Sequence, residues 1–200
     1  MDWYALFVII GKEELIRSHL LNSFHNIECL LPKRLINERA NGSVNTKLKL
    51  LFPGYIFIRL QNGMTFSNYY NLVKTPHLIR MLNFSPKEKE FALKKVKREN
   101  RQMYYELLSN EDFQIKQFKV IDKNEMNSII SLLDQNETII LSEIVIENCM
   151  PIVKSGPLMG QEHLICKIDK RKGRAKVVTR IGGENKLIDL GIKIIQSNMR

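Results

Sequence analysis

Cysteine is scarce in this chain and scattered: Cys29, Cys149 and Cys166 are the only three in 200 residues. An odd count without a Cys-x-x-Cys spacing argues against a disulfide framework and against a zinc site. It fits buried, reduced thiols in a cytoplasmic protein. No apolar run approaches the roughly 20 residues that a membrane-crossing helix needs, so no membrane association is expected. The opening Met1-Asp2-Trp3-Tyr4 has no basic stretch ahead of its apolar residues and reads as a strand, not a signal peptide. The four histidines (His19, His25, His77, His163) stand in unrelated contexts. No phosphate-cradling glycine loop, metal-ligand spacing or nucleophile elbow accompanies them. The chain is therefore expected not to be an enzyme and to need no cofactor or metal. Internal repeats and low-complexity tracts are missing too.

Negative charge is also short. The chain holds 31 Lys+Arg against 21 Asp+Glu, a net +10. The excess is uneven: residues 150–200 carry 11 Lys+Arg against 4 Asp+Glu, and residues 1–149 carry 20 against 17. A concentrated basic face is the electrostatic footprint of a nucleic-acid binder, because neutralising phosphates releases counterions. Hydrophobic residues at 44% are enough for a core. The length fits one medium domain or two small ones.

What is present reads as an α+β chain. Trp3–Ile9 is a β-branched and aromatic strand, and Lys12–Phe24 sets Leu15, Ile16, His19, Leu20 and Phe24 at helical spacing. Ile27–Pro32 is a second strand, Asn37–Asn45 a polar loop or hairpin tip with Asn41-Gly42, and Ile56–Leu60 a central strand. Met64–Val73 is a short helix that stops before Thr75-Pro76, and His77–Phe84 closes the sheet. Ser85 reads as an N-cap with Glu88 as its capping-box partner. Leu93, Val96, Asn100, Met103 and Leu107 then form a heptad seam, flanked by Lys94, Lys95, Lys97, Arg98 and Arg101. A further helix begins at Asp122 with Glu125 three residues on. The last fifty residues are strand patterns punctuated by glycine. Leu164–Ile168 and Arg174–Ile181 flank the basic turn Asp169-Lys170-Arg171-Lys172-Gly173. Even spacing puts Arg174, Lys176 and Arg180 on one face, with Lys154 and Lys167 bordering it. The division expected is 1–134, with 86–117 as a helical insertion, then a linker at 135–148, then 149–200.

Three stretches together resemble the NusG family of transcription elongation factors. They are Trp3-Tyr4-Ala5-Leu6 with Gly11-Lys12-Glu13, then Phe52-Pro53-Gly54-Tyr55-Ile56-Phe57, then Val153–Gly160 with Ile168-Asp169 and Lys172–Val177. The Gly156-Pro157-Leu158 opening and the very basic turn are similar to the LoaP group of specialised NusG paralogues. The resemblance implies an N-terminal NGN domain, a mostly antiparallel sheet flanked by helices, followed by a small SH3-like β-barrel of the KOW type. Two departures stand out: His163 occupies a place where the family carries glycine, and residues 86–117 are extra. Seven glycines and prolines between Gly156 and Gly191 penalise a helical form of the C-terminal module, so a permanent β fold is expected.

What the resemblance implies is a transcription antiterminator. Tyr4, Phe7, Phe52 and Tyr55 would grip the clamp helices of bacterial RNA polymerase, since large aromatics are favoured interface anchors. Trp3 and Phe57 read as core aromatics. Lys74, Thr75, His77 and Arg80 fall in the segment that approaches the non-template DNA strand; an ordinary helix-to-strand turn is the alternative. Lys154, Lys167, Lys170, Arg171, Lys172, Arg174, Lys176 and Arg180 would bind a nascent leader RNA hairpin, the alternative being a solvated basic turn. Other elongation factors are further partners, and the chain itself is expected to be a monomer. The competing functions are a general elongation or pausing factor without a chosen RNA, and a ribosome-associated RNA-binding protein.

Overall fold

The computed structural model describes residues 2–40, 43–82, 86–147 and 150–196, with side chains except at residue 40 and residues 86–92. The expected Asn41-Gly42 tip, the Ser85–Glu88 capping box and Cys149 lie outside the described residues.

The elements begin with β1 (Trp3–Val8), α1 (Glu13–Ser23), β2 (Ile27–Leu30), β3 (Lys33–Ala40), β4 (Ser43–Leu50) and β5 (Tyr55–Leu60). Next come α2 (Phe66–Leu72), β6 (Leu78–Met81), α3 (Pro86–Glu99), α4 (Arg101–Ser109), α5 (Glu111–Lys116) and α6 (Lys123–Ile130). The chain ends with β7 (Thr138–Ile139), β8 (Ser142–Glu147), β9 (Met150–Ser155), β10 (Ile165–Asp169), β11 (Arg174–Ile181) and β12 (Glu184–Ile194). The fold is thus mixed α/β with several sheets.

Two compact units divide the chain, residues 1–30 with 53–121, and residues 31–52 with 122–200. This partition differs from the linear one expected at residues 134 and 149. The β3–β4 hairpin and α6 pack with the C-terminal strands, and the stretch expected to be a linker holds β7 and β8.

The first unit is built on an antiparallel sheet in the order β2-β5-β1-β6. Period-two alternation sends Tyr4, Leu6, Val8, Ile56 and Ile58 to one face, all wholly buried. Trp3, Ala5, Leu30 and Phe57 fill the opposite face and are buried as well, so the core reading of Trp3 and Phe57 holds. At one end of that second face Phe7 and Tyr55 are half exposed, and at the other end half-exposed Arg59 pairs with exposed Glu28. Thr65 caps α2 by accepting the Asn68 N–H at 3.2 Å. Phe118 is buried beside α2, its ring 5.6 Å from those of Phe66 and Tyr69.

The helix expected to carry the seam from Leu93 to Leu107 is instead broken. Asn100 adopts an extended backbone, and its Oδ1 accepts the Met103 N–H at 2.9 Å, making it the cap of α4 rather than a member of a seam. Asparagine competes for backbone N–H groups and so prefers caps to helix interiors. Asn110 repeats the move for α5, accepting from Phe113 at 2.9 Å.

The second unit holds a five-stranded sheet, β10-β11-β12-β8-β9, antiparallel except where β12 runs parallel to β8. Its core includes Ile144, Val153, Leu158, Ala175, Val177, Leu190 and Ile192. A second sheet, β4-β3-β7, belongs to the same unit. Over the stretch expected as a polar loop or hairpin tip, β3 and β4 pair as an antiparallel hairpin, eight residues each. β3 lies against β12. Asn37 donates from Nδ2 to Ile192 O at 3.0 Å and to Gly173 O at 3.3 Å. A Cβ on Gly191 would collide with the Leu35 carbonyl and Leu141 Cδ2, so only glycine lets the two backbones approach this closely.

Candidate functional site

The half-exposed aromatic row comes first, because its position follows from one buried carboxylate. Glu13 stands in the first turn of α1 and is only 3% exposed. Its Oε2 accepts the Gly11 N–H at 2.7 Å and its Oε1 the Gly54 N–H at 2.8 Å. A negative group at a helix N-terminus is favoured by the helix dipole, and here it also satisfies two backbone donors. Gly54, at φ 82°, returns its carbonyl to the Val8 N–H at 2.8 Å. The Phe-Pro-Gly-Tyr turn is thereby fastened beside β1. In register across the sheet, Phe7 faces Tyr55 on β5 and Arg80 on β6. The Phe7 and Tyr55 rings lie 5.4 Å apart and tilted, and the Arg80 guanidinium stands 6.0 Å from the centre of the Phe7 ring. Ile9, Ile10 and Ile79 are exposed on neighbouring positions.

Of the four aromatics expected at a polymerase surface, Phe7 and Tyr55 are brought together. Tyr4 is not with them. It is fully buried, its hydroxyl accepts the Met64 N–H at 3.3 Å, and burial raises its pKa above the ordinary tyrosine value. Tyr4 is a core residue because even positions of β1 point to the wholly buried face. Phe52 is half buried and belongs to the second unit, so the motif spans the division between units. Glu13 escaped sequence reasoning as a site residue; an acidic residue in a first turn beside Gly11 was the available signal.

The second group surrounds the end of α2. Lys74 and Thr75 line a polar cleft of about 230 Å³ with His19, Ser23, Phe24, Asn68 and Asn71. Thr75 is nearly buried and Lys74 exposed. Amide, hydroxyl, imidazole and ammonium groups beside one aromatic ring can pair with the polar edge of a planar heterocycle and stack its face. His77 and Arg80 do not line the cleft. His77 takes a left-handed φ of 66°, and its carbonyl accepts the Ile9 N–H at 3.0 Å. Spacings of three and four residues, Asn68 with Asn71 and His19 with Ser23, were the overlooked signal.

The third group is the basic C-terminal face. Ala175 and Val177 point inward while Arg174, Lys176 and Arg180 take the other face of β11, as alternation predicts. The face is less positive than the sequence suggests, because acids are threaded through it. Asp189 lies 3.1 Å from Lys176 Nζ and 4.0 Å from an Arg174 nitrogen. Arg174 also donates from Nε and a terminal nitrogen to Asn37 O, at 3.2 and 2.9 Å. Arg180 Nε is 3.5 Å from Glu125 and donates to Gly183 O at 3.3 Å. Arg174 is therefore largely committed within the fold, whereas Arg180 stays exposed beside its acid. Lys154, Lys167, Lys170, Arg171 and Lys172 are exposed, and the last three form the projecting tip. Lys172 has Asp169 at 4.0 Å, an exposed pairing worth little.

Arg34 on β3 is the cation that charge counting missed. It donates from a terminal nitrogen to the Asp189 carbonyl, and its buried Nε has no hydrogen-bond partner among the described residues. Burial lowers its pKa from the ordinary arginine value; Asp189 opposes that shift and Arg174 adds to it. Its half-buried side chain props the sheet.

Among the described residues no group of His, Cys, Asp and Glu has a metal-holding arrangement, and no helix is long and apolar enough to cross a membrane. The family model described as "Transcription termination factor nusG" matches residues 1–103, a little over half of the chain. No curated protein matches.

Proposed function

The chain belongs to the NusG family of transcription factors, and from that premise we propose that it is an antiterminator of the LoaP type. In this reading the first unit is an NGN domain whose Phe7–Tyr55 row docks on the clamp helices of bacterial RNA polymerase. The five-stranded sheet serves as the KOW module, and its tip Lys170-Arg171-Lys172 with Lys167 holds a bulged hairpin in the nascent leader RNA. The cleft at Lys74 and Thr75 takes a displaced base of the non-template strand. Engaging polymerase and RNA together raises local concentration beyond what either contact supplies. The chain acts by binding, without turnover of its own, as a cytoplasmic monomer alongside other elongation factors.

The observation that carries this reading is the exposed tip. Three consecutive cations project from a β-turn with one nearby acid. A-form RNA hides its major groove, so such a tip suits a distorted hairpin. The test uses the full chain, a panel of bulged RNA hairpins and core polymerase. Reversing Lys170, Arg171 and Lys172 to Glu should lower hairpin affinity by about tenfold or more while polymerase pull-down persists. Undiminished hairpin binding by that variant would remove the RNA half of the proposal.

A second reading is favoured by one observation, the pairing of Arg174, Lys176 and Arg180 with Asn37, Asp189 and Glu125. A face so neutralised also suits a general elongation factor with no chosen RNA. In transcription assays that factor would change read-through equally on templates with and without the hairpin.

A further inference from the structure

Helices α3 and α4 carry a surface that none of these roles uses. α4 contributes no buried side chain. Between Leu93 and Tyr105 five basic residues (Lys94, Lys95, Lys97, Arg98, Arg101) meet a single acid, Glu99. Helical spacing sets half-buried Leu93 and Val96 on one side of α3 and Lys94, Lys95 and Arg98 on the other, with Lys97 one turn beyond Leu93 at the edge between them. The Asn100 cap restarts the helix, so Arg101 and Tyr105, one turn apart, share a face of α4. Lys97 Nζ stands 5.1 Å from the centre of the Tyr104 ring, and Tyr104 meets Tyr105 edge-on at 5.3 Å. Tyr105 is nevertheless 55% exposed.

An exposed ring held by a second ring and bordered by cations has the parts of a stacking platform. Bases offer it a π-face, and phosphates on either side meet the cations. A duplex keeps its bases stacked on one another and would use the cations alone. An acidic protein surface would likewise leave Tyr105 idle. We propose that α3 and α4 form a single-stranded nucleic-acid site in which Tyr105 stacks a base and Lys97, Arg98 and Arg101 contact the flanking phosphates. The site shares no residue with the Lys74 cleft or with the C-terminal strands, and it does not rest on the hairpin reading.

The test uses the full chain carrying Lys170→Glu and Arg171→Glu, so that the C-terminal tip does not mask the signal. Fluorescence anisotropy is read with labelled oligouridine and oligothymidine, and the tighter of the two identifies RNA or DNA as the natural strand. Adding Arg98→Glu with Arg101→Glu should weaken binding about tenfold and flatten its salt dependence. Tyr105→Ala should weaken it about tenfold with the salt dependence unchanged, and Tyr105→Phe, which keeps the ring, should restore it. Photocrosslinks from 4-thiouridine oligomers should map to α4. Equal affinity for the Ala and Phe variants, crosslinks confined to other segments, or retention of an acidic protein in place of the oligomers would overturn the proposal.

Discussion

Glu13 and Glu125 do the same physical job in the two units, in different surroundings. Each stands in the first turn of its helix, each is under a tenth exposed, and each carboxylate accepts two glycine N–H groups. Glu13 joins Gly11 to Gly54, which lies 41 positions away in the chain. Glu125 holds the adjacent pair Gly182 and Gly183 at 2.7 and 2.9 Å, at the tip between β11 and β12. Gly54 is buried, whereas both glycines of the second clamp are exposed. Glu125 also has Arg180 beside it at 3.5 Å. The same device therefore fixes a long-range junction under the aromatic row in one unit, and a surface turn that draws a cation off the basic face in the other.

The largest effect should come from Glu13→Ala. It leaves two backbone donors without their acceptor, one of them buried, at a cost of about 3 kcal/mol. Urea unfolding should show that loss in the midpoint, and polymerase pull-down should weaken because the Phe-Pro-Gly-Tyr turn is released. Glu13→Gln keeps one acceptor oxygen and should fall between. An unchanged midpoint for the Ala variant would break the comparison at its root.

Glu125→Ala should cost less, about 1–2 kcal/mol, since water can replace the carboxylate on exposed glycine N–H groups. Its effect on RNA should have the opposite sign from damage. With Glu125 gone, Arg180 returns to the basic face, so anisotropy with hairpin RNA should show equal or slightly tighter binding. Weaker RNA binding, with a normal melt, would mean that the tip geometry matters more than the charge set free.

These contrasts also mark where sequence reading works. Alternation placed β1, β5 and β11 and separated Arg174, Lys176 and Arg180 from Ala175 and Val177, because one buried face imposes a period of two. It offered a hairpin tip at Asn41-Gly42 but missed the length of the β3–β4 ladder, because every β4 residue from Ser43 to Lys49 is exposed, leaving no apolar rhythm to read. It found Asp122 as a cap, which accepts from Asn124 and Glu125 at 2.8 and 3.2 Å. It did not find where the Glu125 carboxylate goes, since Gly182 and Gly183 lie 57 and 58 positions away in the chain. Asn100 was legible in principle, but its spacing to Val96 and Met103 imitated a seam. Charge counting located the basic face and could not see Asp189 and Asn37 consuming part of it, because those pairings are made by folding.

The finest contrast is between the glycines themselves. Gly183 has a φ of 86° and open space where a Cβ would go, so Gly183→Ala should cost only the left-handed backbone penalty, about 1 kcal/mol. Gly54 has nearly the same φ of 82°, yet a Cβ there would sit 3.2 Å from Ile10 Cγ1 and 3.4 Å from Phe7 Cε2. Gly54→Ala should therefore cost about 1 kcal/mol more than its counterpart, the usual scale for crowding a packed site. Because the backbone term is nearly common to both, the difference between the two melting curves isolates the packing of Phe7 against the turn. In a chain of this size it amounts to about 2–4 °C. Equal losses would mean that Ile10 and Phe7 give way freely. In the docking proposed above, the aromatic row would then be a pliable surface that takes its shape from its partner, rather than one that Glu13 and Gly54 set in advance.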